Sequence, residues 1–225
     1  MNHTHSKFSA VIFDLDGTLI DSEPVFKLVA KQAASEFNQC FTDELYLNLI
    51  GLPNVEVARG IVTAFGEDFP LDEFRVRFEQ YWRVHVDTYG IPVKSGVLDL
   101  IELLNQKNVA YAIATSTPHE RARHSLTLAK INHYFDYLIG GDEVENGKPA
   151  PDIYVKAAHA IAVPPNRCIA LEDSKVGVSS AAAADMYTIM IPDLKPPDEE
   201  TTARTKRIFA SIDDAAGHIL DLLQC

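Results

Sequence analysis

The chain has 225 residues, 47% hydrophobic and 23% charged, the make-up of an ordinary globular protein with room for one large domain or a domain plus a smaller insert. Its 20 Lys and Arg stand against 32 Asp and Glu, and the net charge of −12 argues against nucleic acid or an anionic membrane as partner. The three cysteines, Cys40, Cys168 and Cys225, form no C-x-x-C pair, so neither a disulfide framework nor a zinc site is indicated.

The start, Met1 to Ser6, is polar and lacks an apolar signal region, and no stretch approaches a membrane span. A cytoplasmic location is therefore expected. The first element is the apolar run Ala10-Val11-Ile12-Phe13, which reads as a buried strand and leads into Asp14-Leu15-Asp16-Gly17-Thr18. Two acids two residues apart, followed by Gly and Thr, suit a site where one carboxylate attacks and the other moves protons. Carboxylates so close repel one another, and a hard cation such as Mg²⁺ is their natural stabiliser. Turns rich in Asp and Gly are also common after strands, so this motif needs partners elsewhere.

From Ser22 to about Ile91 the apolar spacing is helical throughout, as in Val25, Leu28 and Val29, or Phe74, Phe78, Tyr81 and Trp82. Asp21-Ser22-Glu23-Pro24 offers an N-cap and a first-turn proline at its start. The expected organisation is a core made of residues 1–21 and 92–225 with an all-helical insert over 22–91. The two linkers would let that insert open and close over the tip of the first strand.

Four more apolar runs follow: Val109–Ala114, Tyr137–Ile139, Cys168–Leu171 and Thr188–Ile191. Helical patterns separate them, containing Val97 to Leu104, Ile153 to Ile161 and Val176 to Ala184. Such alternation predicts an α/β fold, a Rossmann-like doubly wound parallel sheet that binds ligands at the carboxyl ends of its strands. Pro192 to Glu200 reads as an exposed loop, and Ile212 to Leu223 as a last amphipathic helix.

Each later strand ends in useful chemistry. Thr115-Ser116-Thr117-Pro118 places hydroxyls and a helix N-terminus where phosphate oxygens can sit. Gly147-Lys148-Pro149-Ala150-Pro151 holds a lysine in a stiff turn, and Glu172-Asp173-Ser174 adds two acids suited to a metal. Any one of these has a plain structural explanation, as a helix cap or a surface lysine. Their succession at strand ends that a doubly wound sheet brings to one edge does not.

In these four motifs the chain resembles the haloacid dehalogenase superfamily, specifically phosphatase-type members with a helical cap after the first strand. The resemblance runs from Phe8 to the last helix. It implies an Mg²⁺-dependent phosphatase acting through an aspartyl phosphate on Asp14, with Asp16 as acid and base. Thr115, Ser116 and Lys148 would bind the phosphoryl group. Asp14, Asp16, Asp173 and Glu172 would hold the metal, Glu172 directly or through water. Asp16 favours phosphoester chemistry, because phosphonate-cleaving relatives typically carry Ala there and dehalogenases lack this second acid. Mutases of the β-phosphoglucomutase type usually carry His where this chain has Phe26, and Arg shortly after the glycine matching Gly51, where Leu52-Pro53-Asn54 stand. Hydrolysis of a small phosphorylated metabolite such as a hexose phosphate is therefore expected over isomerisation. A non-catalytic binder of phosphometabolites has no need of both Asp14 and Asp16. Specificity is expected around Phe26, Gly51 and Asn54; the substrate and the oligomeric state are not legible.

Overall fold

The computed structural model describes residues 7–50, 52 and 54–223. Six parallel strands form one sheet in the order β3-β2-β1-β4-β5-β6. They are β1 Ala10–Phe13, β2 Ala110–Ala114, β3 Leu138–Ile139, β4 Cys168–Glu172, β5 Tyr187–Met190 and β6 Arg207–Ile208. The five expected strands are present with their ends shifted by no more than a residue. The sixth has two exposed residues and so carries no apolar pattern that a sequence reading could find.

Alternation along each strand sends side chains to two different layers. Val11 and Phe13 join Ile113, Ile169, Leu171 and Ile189 beneath α5 (Val97–Gln106) and α10 (Ile212–Leu223). Ala10 and Ile12 join Ala112, Ala114 and Ala170 beneath α7 (Asp152–Ala160) and α8 (Lys175–Ala183). The small residues of that second layer leave room for Tyr154, which is fully buried. With no exposed surface left, Val11, Ile12 and Phe13 each contribute roughly 1.5–3 kcal/mol of burial. That fixes the position of the first strand's tip.

Between β1 and α5 lie α1 (Glu23–Ser35), α2 (Asp43–Leu49), α3 (Asn54–Phe65) and α4 (Leu71–Tyr89), with no strand among the described residues. Ala30, Ala33, Phe41, Phe69 and Phe74 form a cluster of their own within these helices. The near ends of α1 and α4 contribute Val25, Val29, Trp82 and Val86 to the main core instead. The chain enters and leaves this segment through two linkers that lie side by side. Ile20 bridges Val93, the Asp21 N–H donates to the Pro92 carbonyl at 2.9 Å, and the Lys94 N–H donates to the Leu19 carbonyl at 3.0 Å.

Two local expectations change. Ser22 stands at the N-cap of α1, but its hydroxyl makes no capping bond and is used elsewhere; Pro24 does fill the first turn. The loop after β5 ends early, because the Asp198 carboxylate accepts from the Thr201 N–H at 2.8 Å and starts α9, Glu199–Arg204.

After α8, Asp185 adopts a left-handed conformation with φ of 61°, where glycine is the usual residue. Asp tolerates that region better than most residues but at some cost. Asp185→Gly is expected to raise unfolding free energy by about 0.5–1 kcal/mol in chemical denaturation, without altering activity.

Candidate active site

Strand β1 lies between β2 and β4, and pairing of Phe13 with both Ile113 and Leu171 sets Asp14 level with Ala114 and Glu172. The three strands therefore deliver Asp14, Thr115 and Glu172 to one edge. A cavity of about 400 Å³ opens there, lined by Asp14, Asp16, Thr115, Ser116, Lys148 and Asp173. Glu172 lies beneath its floor, fully buried.

Lys148 joins these groups. Its Nζ donates to Asp14 Oδ1 at 2.5 Å and to Glu172 Oε1 at 2.6 Å, and its side chain is almost without solvent. Burial pulls its pKa down, but the charges of Asp14 and Glu172 and their hydrogen bonds outweigh that and hold it above the usual lysine value. Tyr154 OH also donates to Glu172 Oε1, at 2.7 Å. Glu172 Oε2 accepts from the Asp173 N–H, the Ser174 N–H and the Ser174 hydroxyl at 3.0–3.2 Å. Both oxygens of Glu172 are thus occupied by protein donors. Ser174 Oγ in turn accepts from the Gly177 N–H at 3.1 Å and caps α8, the role its place in the sequence suggests.

Two glycines make this crowding possible. A Cβ on Gly177 would lie 1.8 Å from Glu172 Oε1, and one on Gly17 would lie 2.4 Å from Asp173 Oδ2. Gly17 also has φ of 85°, a turn that favours glycine.

Carboxylate oxygens of Asp14, Glu172 and Asp173 lie within 4.8 Å of one another. Burial, then the neighbouring charges, pushes the pKa of Asp173 well above the carboxylate range. Asp14 moves the same way through burial, with Lys148 opposing and Glu172 and Asp16 adding to the rise. When all three are ionised, the carboxylates facing one ammonium leave two negative charges, which a divalent cation with oxygen ligands would neutralise. The donor set suits such an ion, with Asp14 and Asp173 the better placed ligands because Glu172 is already saturated.

Asp16 is held apart from that cluster. Its Oδ1 accepts from the Ser22 hydroxyl at 2.7 Å and its Oδ2 from the Thr117 hydroxyl at 2.7 Å. This is where the Ser22 side chain goes instead of capping α1. The Thr115 hydroxyl oxygen accepts from the Thr117 N–H at 3.1 Å, which shapes the turn between β2 and α6 (His119–Leu128).

The structure therefore brings Asp14, Asp16, Thr115, Ser116, Lys148 and Asp173 around one cavity, with Glu172 supporting them. Phe26 lines an adjoining cavity. Gly51 and the side chain of Asn54 lie outside the described residues; Asn54 begins α3. Sequence reasoning missed Tyr154, which reads as one more buried residue in a helix, and Thr117 as a partner of Asp16. It also missed Glu23, buried where the two cavities meet, with a carboxylate that accepts from the Tyr46 hydroxyl.

Against this geometry, the family model for haloacid dehalogenase-like hydrolases matches residues 11–191. The chain belongs to that family, and it is a phosphoric monoester hydrolase. It is 33% identical over 180 residues to a phosphorylated carbohydrates phosphatase of Thermotoga maritima, covering 80% of this chain and 83% of that protein. A fructose-1-phosphate phosphatase of Escherichia coli is 27% identical over 193 residues, 82% of this chain and 97% of that one. A solved haloacid dehalogenase-type hydrolase, family IA variant 3, of Entamoeba histolytica superimposes with a TM-score of 0.83 at 25% identity, covering 97% of this chain and 100% of that one. No helix among the described residues is long and apolar enough to cross a membrane.

Glu23 gives the site a measurable signature. Burial raises its pKa from 4.5 to about 7; the Tyr46 hydrogen bond opposes this, and the charges of Asp16, Asp193 and Asp21 add to it. Between those values the folded chain holds a proton that the unfolded chain has lost, so stability falls as pH rises through that window. Glu23→Gln removes the penalty. In metal-free buffer it is expected to be about as stable as wild type at pH 4 and more stable at pH 8, by up to roughly 3 kcal/mol in urea denaturation.

Proposed function

We propose that the chain hydrolyses a small phosphorylated metabolite through a phosphoenzyme on Asp14. The observation that carries this reading is a carboxylate at the floor of the cavity, bound at 2.5 Å by a buried lysine, with a separately held second acid at the rim. The carbohydrate substrates of the relatives make sugar phosphates the first class to test.

In this mechanism an Asp14 oxygen attacks phosphorus in line, and the ester oxygen departs with a proton from Asp16. Water then attacks the aspartyl phosphate, its proton passes to Asp16, and inorganic phosphate leaves with Asp14 regenerated. Thr115, Ser116 and nearby N–H groups hold the phosphoryl oxygens, while Lys148 opposes the protonation of Asp14 and orients it. Asp14, Asp173 and the Asp16 main-chain carbonyl would hold Mg²⁺, which would supply positive charge to offset that of the transferring group. Glu172 then serves from behind, by fixing Lys148 and the turn at Asp173.

We further propose that residues 22–91 form a cap on a core of 1–21 and 92–225. The paired linkers at Ile20 and Val93 and the separate aromatic cluster of the helices support that division. Hydrolysis is favoured over phosphate migration because Phe26 supplies no proton. Its ring is instead covered by the Arg121 guanidinium at 5.3 Å.

Asp14→Asn is expected to abolish phosphate release while leaving circular dichroism and the unfolding midpoint near wild type; substantial residual turnover would remove Asp14 as nucleophile. Asp16→Ala should slow turnover about 10²–10⁴-fold, most for esters with poor leaving groups. Chelation by EDTA should stop turnover and added Mg²⁺ restore it, with free phosphate released and no isomerised sugar phosphate.

A further inference from the structure

A second cavity of about 580 Å³ lies within the helices and shares Glu23, Ile50, Leu52 and Ser116 with the first. A phosphomonoester held at Asp14 sends its organic part in this direction. The two cavities differ in their aromatic content. Acids, hydroxyls and lysines line the first together with Ile50, Leu52, Val176, Met190 and Leu194, whereas the aromatic side chains Phe26, Phe41, Phe74 and Phe78 line the second alone.

Of the polar groups of the second cavity, the Tyr46 hydroxyl donates to Glu23, the Thr117 hydroxyl donates to Asp16, and the Arg121 guanidinium pairs with Glu79 at 3.2 Å, while the buried Arg121 Nε has no hydrogen-bond partner among the described residues. A hexose buried there would meet more aromatic surface than hydrogen-bonding groups, and each of its hydroxyls left without a partner would be costly. It would also underfill the space, whose volume lies in the roughly 300–1,000 Å³ range that encloses drug-sized ligands. Flat apolar surface suits it better. The Phe26 and Phe78 rings lie 6.1 Å apart at 31°, both only partly buried, and the Arg121 guanidinium covers Phe26 while lying 4.4 Å from the Trp82 ring. Aromatic faces of this kind stack nucleobase-like rings regardless of their substituents.

We infer that the preferred substrate is a phosphomonoester whose sugar or polyol carries a flat aromatic ring, with the ring seated among Phe26, Phe78 and Phe74. The polyol would occupy the junction at Glu23 and Ser116. The inference rests on the phosphatase reading and narrows it to nucleoside- or flavin-type monophosphates.

Matched pairs isolate the ring. Uridine 5′-monophosphate and ribose 5-phosphate share the same primary ester, as do flavin mononucleotide and ribitol 5-phosphate. With Mg²⁺ present, the member bearing the ring is expected to have kcat/KM at least about tenfold higher, chiefly through a lower KM, as stacking one base on an aromatic side chain provides. In Phe78→Ala, whose side chain is only partly buried, that ratio should fall at least fivefold. Acetyl phosphate serves as a ring-free, activated control. Hydrolysis of acetyl phosphate together with equal or better turnover of the ring-free esters would overturn the aromatic assignment and leave the phosphatase standing. Failure to release phosphate from any of these esters or from acetyl phosphate would overturn both.

Discussion

Lys148 carries its ammonium into a place nearly closed to water, and that charge allows three carboxylates to share one sheet edge. An unpaired buried charge costs several kcal/mol, so ammonium and carboxylates each depend on the other's presence. The dependence spreads outward through Glu172. Its five donors come from the Lys148 turn, from Tyr154 on α7 and from the backbone and hydroxyl at the start of α8. Helices α7 and α8 are therefore fixed against the sheet by polar contacts as well as by their apolar faces. The absence of a side chain at Gly177 is part of the same arrangement, because the carboxylate fills the space a Cβ would take.

Most of that edge is legible in the sequence for a simple reason. Buried parallel strands are short continuous apolar runs, and the residues that follow them are forced to the carboxyl edge. Asp14, Thr115 and Glu172 are found by position alone once Ala10–Phe13, Ala110–Ala114 and Cys168–Glu172 are recognised. What stays hidden depends on contacts between distant segments. Thr117 reaches Asp16 across 101 residues and Tyr154 reaches Glu172 from a helix whose apolar pattern is that of any buried helix. Ser22 shows the opposite failure: a residue type typical of a cap was given its local role, and a stronger acceptor six residues away took the hydroxyl. The exposed pair Arg207–Ile208 carried no periodicity at all.

The helical segment divides its apolar residues between two tasks. Val25, Val29, Trp82 and Val86 bind the ends of α1 and α4 to the main core, which anchors the segment near its linkers. Farther out, Phe41, Phe65, Phe69 and Phe74 pack edge-to-face or stacked with centroids 4.8–6.4 Å apart. Phe41 and Phe74 of this cluster also line the second cavity, as do Ser116 and Thr117 at the sheet edge. On the proposed reading, charge chemistry is kept at the strand ends and shape selection is left to the helices. Phe26 belongs to both, since its ring packs on Phe78 and lies beneath Arg121, a residue of the core helix α6 (His119–Leu128).

Electrostatics sets one further condition on this division. A chain of net charge −12 repels an anionic ester at long range, so attraction has to arise inside the cavity. Of the lysines lining it, Lys148 is bound to two carboxylates, and Lys175 is paired with Asp198 and Glu200 at 2.8 Å each. Lys195 donates to the Ile50 carbonyl at 3.1 Å, a contact that leaves its positive charge uncompensated. One lysine at the rim does not offset two excess carboxylate charges at the floor. The proposed divalent cation would then have a role that precedes any chemistry: it would neutralise those two charges and leave the Lys195 charge unopposed, so the same acids that repel the substrate in its absence would become the means of holding the ion that admits it.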